Sequence, residues 1–124
     1  MSDKVHTINS VGELDALLAS HTYVAVDFTA TWCGPCKTIS PVFANLAKTH
    51  AVDSHFALAK VDVDAVQEAA QRYRISAMPT FMFFKEGKQV AVNGQAMIRG
   101  ADPRALGAAV EKVSGLAAKR AAEA

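Results

Sequence analysis

The sequence predicts an α/β fold: a central mixed β-sheet of about five strands flanked by four helices, in the order βαβαβαββα. Three observations predict it. β-branched and aromatic runs alternate with segments of helical apolar spacing in the earlier part of the chain, which implies parallel strands joined by helices. A Glu86-Gly87 turn then follows an apolar run and adds antiparallel strands. The 124 residues, 51% hydrophobic and 20% charged, suit one domain that buries a single core without staples.

The elements follow in order. Val5 to Ile8 reads as a short strand. Asn9 or Ser10 caps a helix over 11–19, with Val11, Leu14, Leu17 and Leu18 on one face. Tyr23 to Thr29 has little polar alternation, as in a strand covered on both sides. A helix then runs from near Cys33 to about His50, with Ile39, Val42, Phe43, Leu46 and Ala47 at helical spacing. Pro41 inside it removes a hydrogen bond and is expected to kink it. Phe56 to Val63 is a strand, and Asp64 caps a helix carrying Val66, Ala69, Ala70 and Tyr73. Thr80 to Phe84 is a strand, and a further one lies within 88–99. Asp102 caps the last helix, with Pro103 at its first position; Leu106, Ala109, Val110 and Val113 form the buried face. The single domain covers 1–116; the Ala-rich tail, 117–124, has no apolar face to dock and reads as a helical or frayed continuation.

A net charge of +1 gives no broad field for nucleic acid or an anionic membrane. No apolar run approaches the roughly 20 residues that span a bilayer. The segment from Met1 to His6 lacks a basic stretch followed by an apolar one, so no export signal is expected. The chain has two cysteines, Cys33 and Cys36, both in one Cys-x-x-Cys motif. A zinc site needs about four ligands; there is no second cysteine pair, and His6, His21, His50 and His55 lack ligand-like spacing, so no metal is expected. A structural disulfide closing so small a loop adds little stability. Redox chemistry is the reading that remains.

With a strand ending near Thr29 and a helix starting near Cys33, Cys33 stands at a helix N-terminus. Free N–H groups and the helix dipole there favour a thiolate, the nucleophile of disulfide exchange. Cys36 lies deeper in the first turn and is expected to be less exposed. Cys33 then attacks a substrate disulfide, and Cys36 resolves the mixed disulfide. Gly34 permits close backbone approach, Pro35 stiffens the first turn, and Trp32 offers a flat apolar surface beside the nucleophile.

Val26-Asp27-Phe28-Thr29-Ala30-Thr31-Trp32-Cys33-Gly34-Pro35-Cys36-Lys37 resembles the active-site segment of the thioredoxin family. Ala77-Met78-Pro79-Thr80-Phe81 resembles its Met-Pro-Thr loop. Lys60-Val61-Asp62-Val63-Asp64, Phe84-Lys85-Glu86-Gly87 and Gly100-Ala101-Asp102 match later landmarks in family order, so the likeness covers about residues 5–115. Thr29 stands where bacterial members often carry Trp, which leans toward the eukaryotic type.

The resemblance implies the thioredoxin fold and a protein-disulfide reductase, the Gly-Pro between the cysteines being what reductases of the family carry; the alternatives are an isomerase- or oxidase-like member and a non-catalytic binding or regulatory module on the same fold. No bound cofactor is implied: the Cys33–Cys36 disulfide is the redox centre, and NADPH and FAD belong to a partner, thioredoxin reductase. Other partners would be diverse disulfide-containing proteins, not nucleic acid or membrane. On its residues alone, Asp27 is either a solvent-facing strand-end aspartate or a buried one; the family implies a buried carboxyl that exchanges protons with the Cys36 thiol. Lys60 is either a surface lysine with a buried stem or, as the family implies, a neighbour of that carboxyl. Pro79 is either a turn proline or the family's cis-proline facing the cysteines. Trp32, Gly34, Ala77, Met78, Pro79 and Gly100 would form the docking surface. Two departures stand out. The stretch from Gly87 to Gly100 is longer than usual, with a second turn signal at Asn93-Gly94. The extra cysteines of human-type members are absent, so no disulfide-linked dimer and no control by further thiols is expected; a monomer is the default, and the lack of a transit segment points to the cytoplasm.

Overall fold

A computed structural model describes residues 4–123. Met1–Asp3 and Ala124, the outermost residues of the expected domain and tail, lie outside the described residues.

Strand β1 (Val5–Ile8) leads into helix α1 (Val11–Ser20). Ser10 is the cap: its hydroxyl accepts from Glu13 N, while the Glu13 carboxylate accepts from Asn9 N, so two helix-end donors are satisfied. Strand β2 (Tyr23–Thr29) is buried from Tyr23 through Phe28, as its unalternating sequence requires. Helix α2 (Gly34–His50) continues through Pro41. Then come β3 (Phe56–Asp62), the short α3 (Gln67–Arg72), β4 (Thr80–Lys85), β5 (Lys88–Val90), β6 (Met97–Arg99) and α4 (Pro103–Glu123).

The sheet order is β1-β3-β2-β4-β5, with β6 also paired to β4. β1, β3 and β2 are parallel; β4 runs antiparallel to β2. Six strands therefore occupy five lanes, because β5 pairs with Phe83–Lys85 and β6 with Thr80–Met82 along one edge of β4. The single strand expected within 88–99 is thus two. Asn93 and Gly94 take φ of 52° and 81° and fold the chain back, and Val92 and Gln95 close that turn with reciprocal backbone hydrogen bonds. Glu86 and Gly87, with φ of 51° and 81°, make the expected tight turn between β4 and β5.

Alternation along the strands divides the core. Tyr23, Ala25, Phe56, Leu58, Phe81 and Phe83 pack under α2 and α4; Val24, Val26, Phe28, Ala57, Ala59 and Val61 pack with the leucines of α1.

Two expectations are corrected. Asp64 does not cap α3. That helix starts behind Val66 without a side-chain cap, and the carboxylate of Asp62 accepts from Asp64 N and Ala65 N to form the turn. The tail is not faceless at its start either: α4 continues to Glu123, Ala117 is fully buried in the core beneath it, and Arg120 pairs with Glu86 across to the hairpin. Alanine has too small a side chain to announce itself as apolar face, yet it fits where a helix crosses close to its neighbours.

Phe43 of α2 is buried and stacks at 5.6 Å, centroid to centroid, on Phe81 of β4. Phe43→Ala is expected to cost about 3–5 kcal/mol, read as a lowered midpoint in urea unfolding of the oxidised protein.

Candidate active site

The site lies where β2 ends and α2 begins, at the carboxyl ends of the parallel strands. Cys33 is the N-cap of α2, in extended conformation, and its Sγ accepts from Cys36 N at 3.1 Å. Pro35 sits in the first turn, where its missing N–H breaks no helical bond. Cys33 and Cys36 form a disulfide, with Cα atoms 5.3 Å apart. A strand that stops four residues before this cap holds the sulfur at the helix end, where donors converge.

The two cysteines differ little in exposure, 5% for Cys33 and 3% for Cys36, because Ala30, Val63 and Met78 pack around both. What separates them is direction. Cys33 Sγ lies 3.6 Å from the Met78 carbonyl oxygen, on the side of the loop before β4. Cys36 lines a cleft of about 480 Å³ together with Asp27 and Lys60.

Asp27 is 4% exposed, which removes the solvent-facing alternative. Its Oδ1 is buried with no hydrogen-bond partner among the described residues. Burial pushes its carboxyl from the ordinary 3.8 up to about 7, against the opposing pull of the Lys60 charge. Lys60, half-buried, is the direct register neighbour of Asp27 on β3.

The Met78–Pro79 peptide bond is cis. Thr80 Oγ1 donates to the Ala77 carbonyl at 2.7 Å and closes this loop. Gly100 N donates to the Pro79 carbonyl at 2.8 Å and ties the end of β6 to it; φ of 96° at Gly100 is a conformation that side chains resist. Around Cys33 the surface includes Trp32, which is 66% exposed, and exposed Gly34 and Ala77, with Met78 and Gly100 half-buried and Pro79 buried. A Cβ on Gly34 would meet nothing within 4 Å, so no packing inside the chain demands glycine there.

Sequence reasoning missed Asp64 as a partner of the site. Its carboxylate accepts from the Trp32 indole N–H at 2.7 Å, across 32 residues, and it stands two residues ahead of Val66, the cap position of α3. The available signal was the indole itself, since a Trp N–H usually finds an acceptor. Among the histidines, His6 and His21 do meet, ring centroids 6.1 Å apart, but at the opposite end of β2 from the cysteines. Burial, then His6, holds His21 below its usual pKa. Among the described residues no group of three His, Cys, Asp or Glu is arranged to hold a metal ion, and no helix is long and apolar enough to cross a membrane.

The thioredoxin family model matches residues 5–111. The chain is 66% identical over 118 residues to a thioredoxin-like protein of Fusarium culmorum, covering 95% of this chain and 98% of that one. It is 56% identical to a thioredoxin of Neurospora crassa over 124 residues, covering 100% and 98%. The crystal structure of Malassezia sympodialis thioredoxin superposes with a TM-score of 0.80 at 41% identity, covering 91% of this chain and 93% of that one.

The raised pKa of Asp27 carries a stability consequence. The folded-state value lies above the unfolded one, so the contribution of the protonated carboxyl is complete below about pH 3.8 and lost as pH rises through about 7. Above that, the buried carboxylate costs the fold on the order of 4 kcal/mol. Asp27→Asn is expected to stabilise the oxidised protein by several kcal/mol near pH 8, the gain shrinking toward about pH 4. Urea unfolding across that range checks it; a gain independent of pH would mean Asp27 is not the buried titrating group.

Proposed function

The chain belongs to the thioredoxin family, and we propose that within it the protein is a general reductase of protein disulfides, recycled by an NADPH-dependent thioredoxin reductase in the cytoplasm. It is a thiol–disulfide oxidoreductase whose redox centre is the Cys33–Cys36 pair. The observation that carries the reading is that pair at the N-terminus of α2, beside the Met78 carbonyl on one side and the Asp27 cleft on the other.

In the reduced protein the Cys33 thiolate, favoured by the free N–H groups of the first turn, attacks one sulfur of a substrate disulfide. The substrate S–S bond breaks, a Cys33–substrate bond forms, and the first substrate thiolate leaves and takes a proton. Asp27, a base near neutral pH, accepts the Cys36 proton. The Cys36 thiolate attacks Cys33 Sγ, the mixed disulfide breaks, and the second substrate thiol departs. Two electrons have moved to the substrate, and the Cys33–Cys36 bond has closed.

Lys60 tempers the Asp27 pKa by its charge. Trp32, Gly34, Ala77, Met78, Pro79 and Gly100 form the docking surface, on which an extended substrate segment pairs with the backbone next to Pro79. The protein works as a monomer, and NADPH and FAD reside on the partner reductase; the sequence carries no nucleotide-binding fingerprint.

Equilibration with glutathione is expected to give a potential close to the roughly −270 mV that characterises thioredoxins generally, well below the roughly −180 mV of disulfide isomerases. A value near or above the latter overturns the reductase reading. Cys36→Ser is expected to accumulate covalent mixed disulfides with protein substrates, seen on non-reducing gels, whereas Cys33→Ser accumulates none; the reverse pattern exchanges the two roles.

A further inference from the structure

The order of strands fixes what stands on either flank of the cysteines. At the end of the sheet that carries them, the strands lie in the order β3, β2, β4, β6. β3 runs on into Val63 and Asp64, and β2 into Trp32 and Cys33; β4 begins behind Pro79, and β6 ends at Arg99. The last cross-strand row consists of Val61, Phe28, Thr80 and Arg99 in register. Its first three members are buried, and Arg99, on the outer lane, is exposed. Side chains paired in this way share one face, with Cβ atoms about 5 Å apart. On that face Thr80 Oγ1 reaches the Ala77 carbonyl, at 2.7 Å. Gly100, next to Arg99, donates its N–H to the Pro79 carbonyl at 2.8 Å. The longer arginine side chain beside Thr80 therefore stands at the rim of the Ala77–Pro79 loop.

Arg99 makes no side-chain hydrogen bond or ion pair among the described residues, whereas Arg72 pairs with Asp15 and Arg120 with Glu86. Asp102, the next acid along the chain, has its carboxylate committed to Ala105 N at the start of α4. The loop itself, Ala77-Met78-Pro79, is uncharged, and Lys37 lines the Asp27 cleft instead. On the opposite flank the Asp64 carboxylate holds the Trp32 indole N–H, a neutral donor that leaves its charge in place. The cysteines thus lie between an acid on the β3 side and a base on the β6 side. A charge on an edge strand also blunts association between sheets. That role needs no place beside the docking loop and does not discriminate among substrates.

We propose that Arg99 is a specificity-determining residue: its guanidinium meets an acidic side chain of the substrate segment that pairs beside Pro79, on the side of the attacked cysteine that lies toward β6. The proposal rests on the reading of the protein as a reductase that docks its substrate beside Pro79. A guanidinium is charged at every working pH and offers a fork of donors to a carboxylate. The pair is exposed, so it sorts substrates by charge more than it tightens their binding. On the other side of the cysteine the Asp64 charge repels the same acidic residue.

The test uses peptides whose single cysteine is in mixed disulfide with a small neutral thiol. Each carries Glu, Gln or Lys at one position close before or close after the cysteine. The second-order rate constant of reduction is measured, and the Glu-to-Lys ratio is compared among the parent, Arg99→Gln and Arg99→Lys. The effect of a peptide's charge on its own disulfide is the same for every protein and cancels in that comparison. On one side of the cysteine, the parent ratio is expected to exceed that of Arg99→Gln about fivefold at low ionic strength, the excess shrinking in about 0.5 M salt. Arg99→Lys, which keeps the charge without the fork, is expected to retain part of the excess. An equal ratio in parent and Arg99→Gln at every position, an equal loss on both sides of the cysteine, or an Arg99→Lys ratio no higher than that of Arg99→Gln each overturns the proposal. The neutral Gln peptides separate the two readings. If the reduced parent leaves them intact, the reductase reading falls and this proposal with it. If it reduces them but the Glu-to-Lys ratio does not move in Arg99→Gln, only the role of Arg99 falls.

Discussion

A carboxyl group held inside the sheet without a hydrogen-bond partner among the described residues is the constraint on which the rest of the site depends. β2 is covered on both faces, and Asp27 comes near its end, after four buried apolar residues. Desolvation disfavours its charge, and the Lys60 charge one strand away is too weakly coupled to cancel that effect. The result is a carboxyl pushed up to about 7 that lines the same cleft as Cys36. A fold selected for stability alone would place an apolar residue there, and the surrounding core supplies the stability that this position gives up.

The second constraint is the short connection from β2 to α2. It leaves Cys33 as the helix cap, its sulfur already serving as an acceptor for Cys36 N. An atom that accepts from the backbone N–H groups of a helix end is better placed still when it carries negative charge. The loop before β4 completes the arrangement by bringing the Met78 carbonyl to the same sulfur, and that loop is braced by Thr80 on Ala77 and by Gly100 on Pro79. Residues from three stretches of chain, 30–36, Val63 and Met78, therefore pack together at the two cysteines.

Particular residues mark how far the sequence could be read. Apolar spacing located every long element to within a residue or two, and the local signals at Ser10, Glu86-Gly87 and Asp102-Pro103 were read correctly because a cap or a tight turn is decided by its own few residues. Asp64 was misread for the converse reason. An aspartate before a short helix looks like a cap, and its actual partner, the Trp32 indole, is remote in sequence. The burial of Ala117 and the meeting of His6 with His21 were hidden in the same way, since each depends on how elements from different parts of the chain come to lie together.

The sequence by itself determined the order of elements, the helix end on which Cys33 sits and the Cys-x-x-Cys chemistry, because spacing, caps and turns are local properties of the chain. Whether Asp27 faced solvent or core, and whether Lys60 was a surface lysine or its neighbour, was decided only by the parallel pairing of β2 with β3 and the closure of α2 over them. Burial and register are properties of the assembled sheet, and a shift of pairing by one residue would have turned the same two side chains to the opposite face.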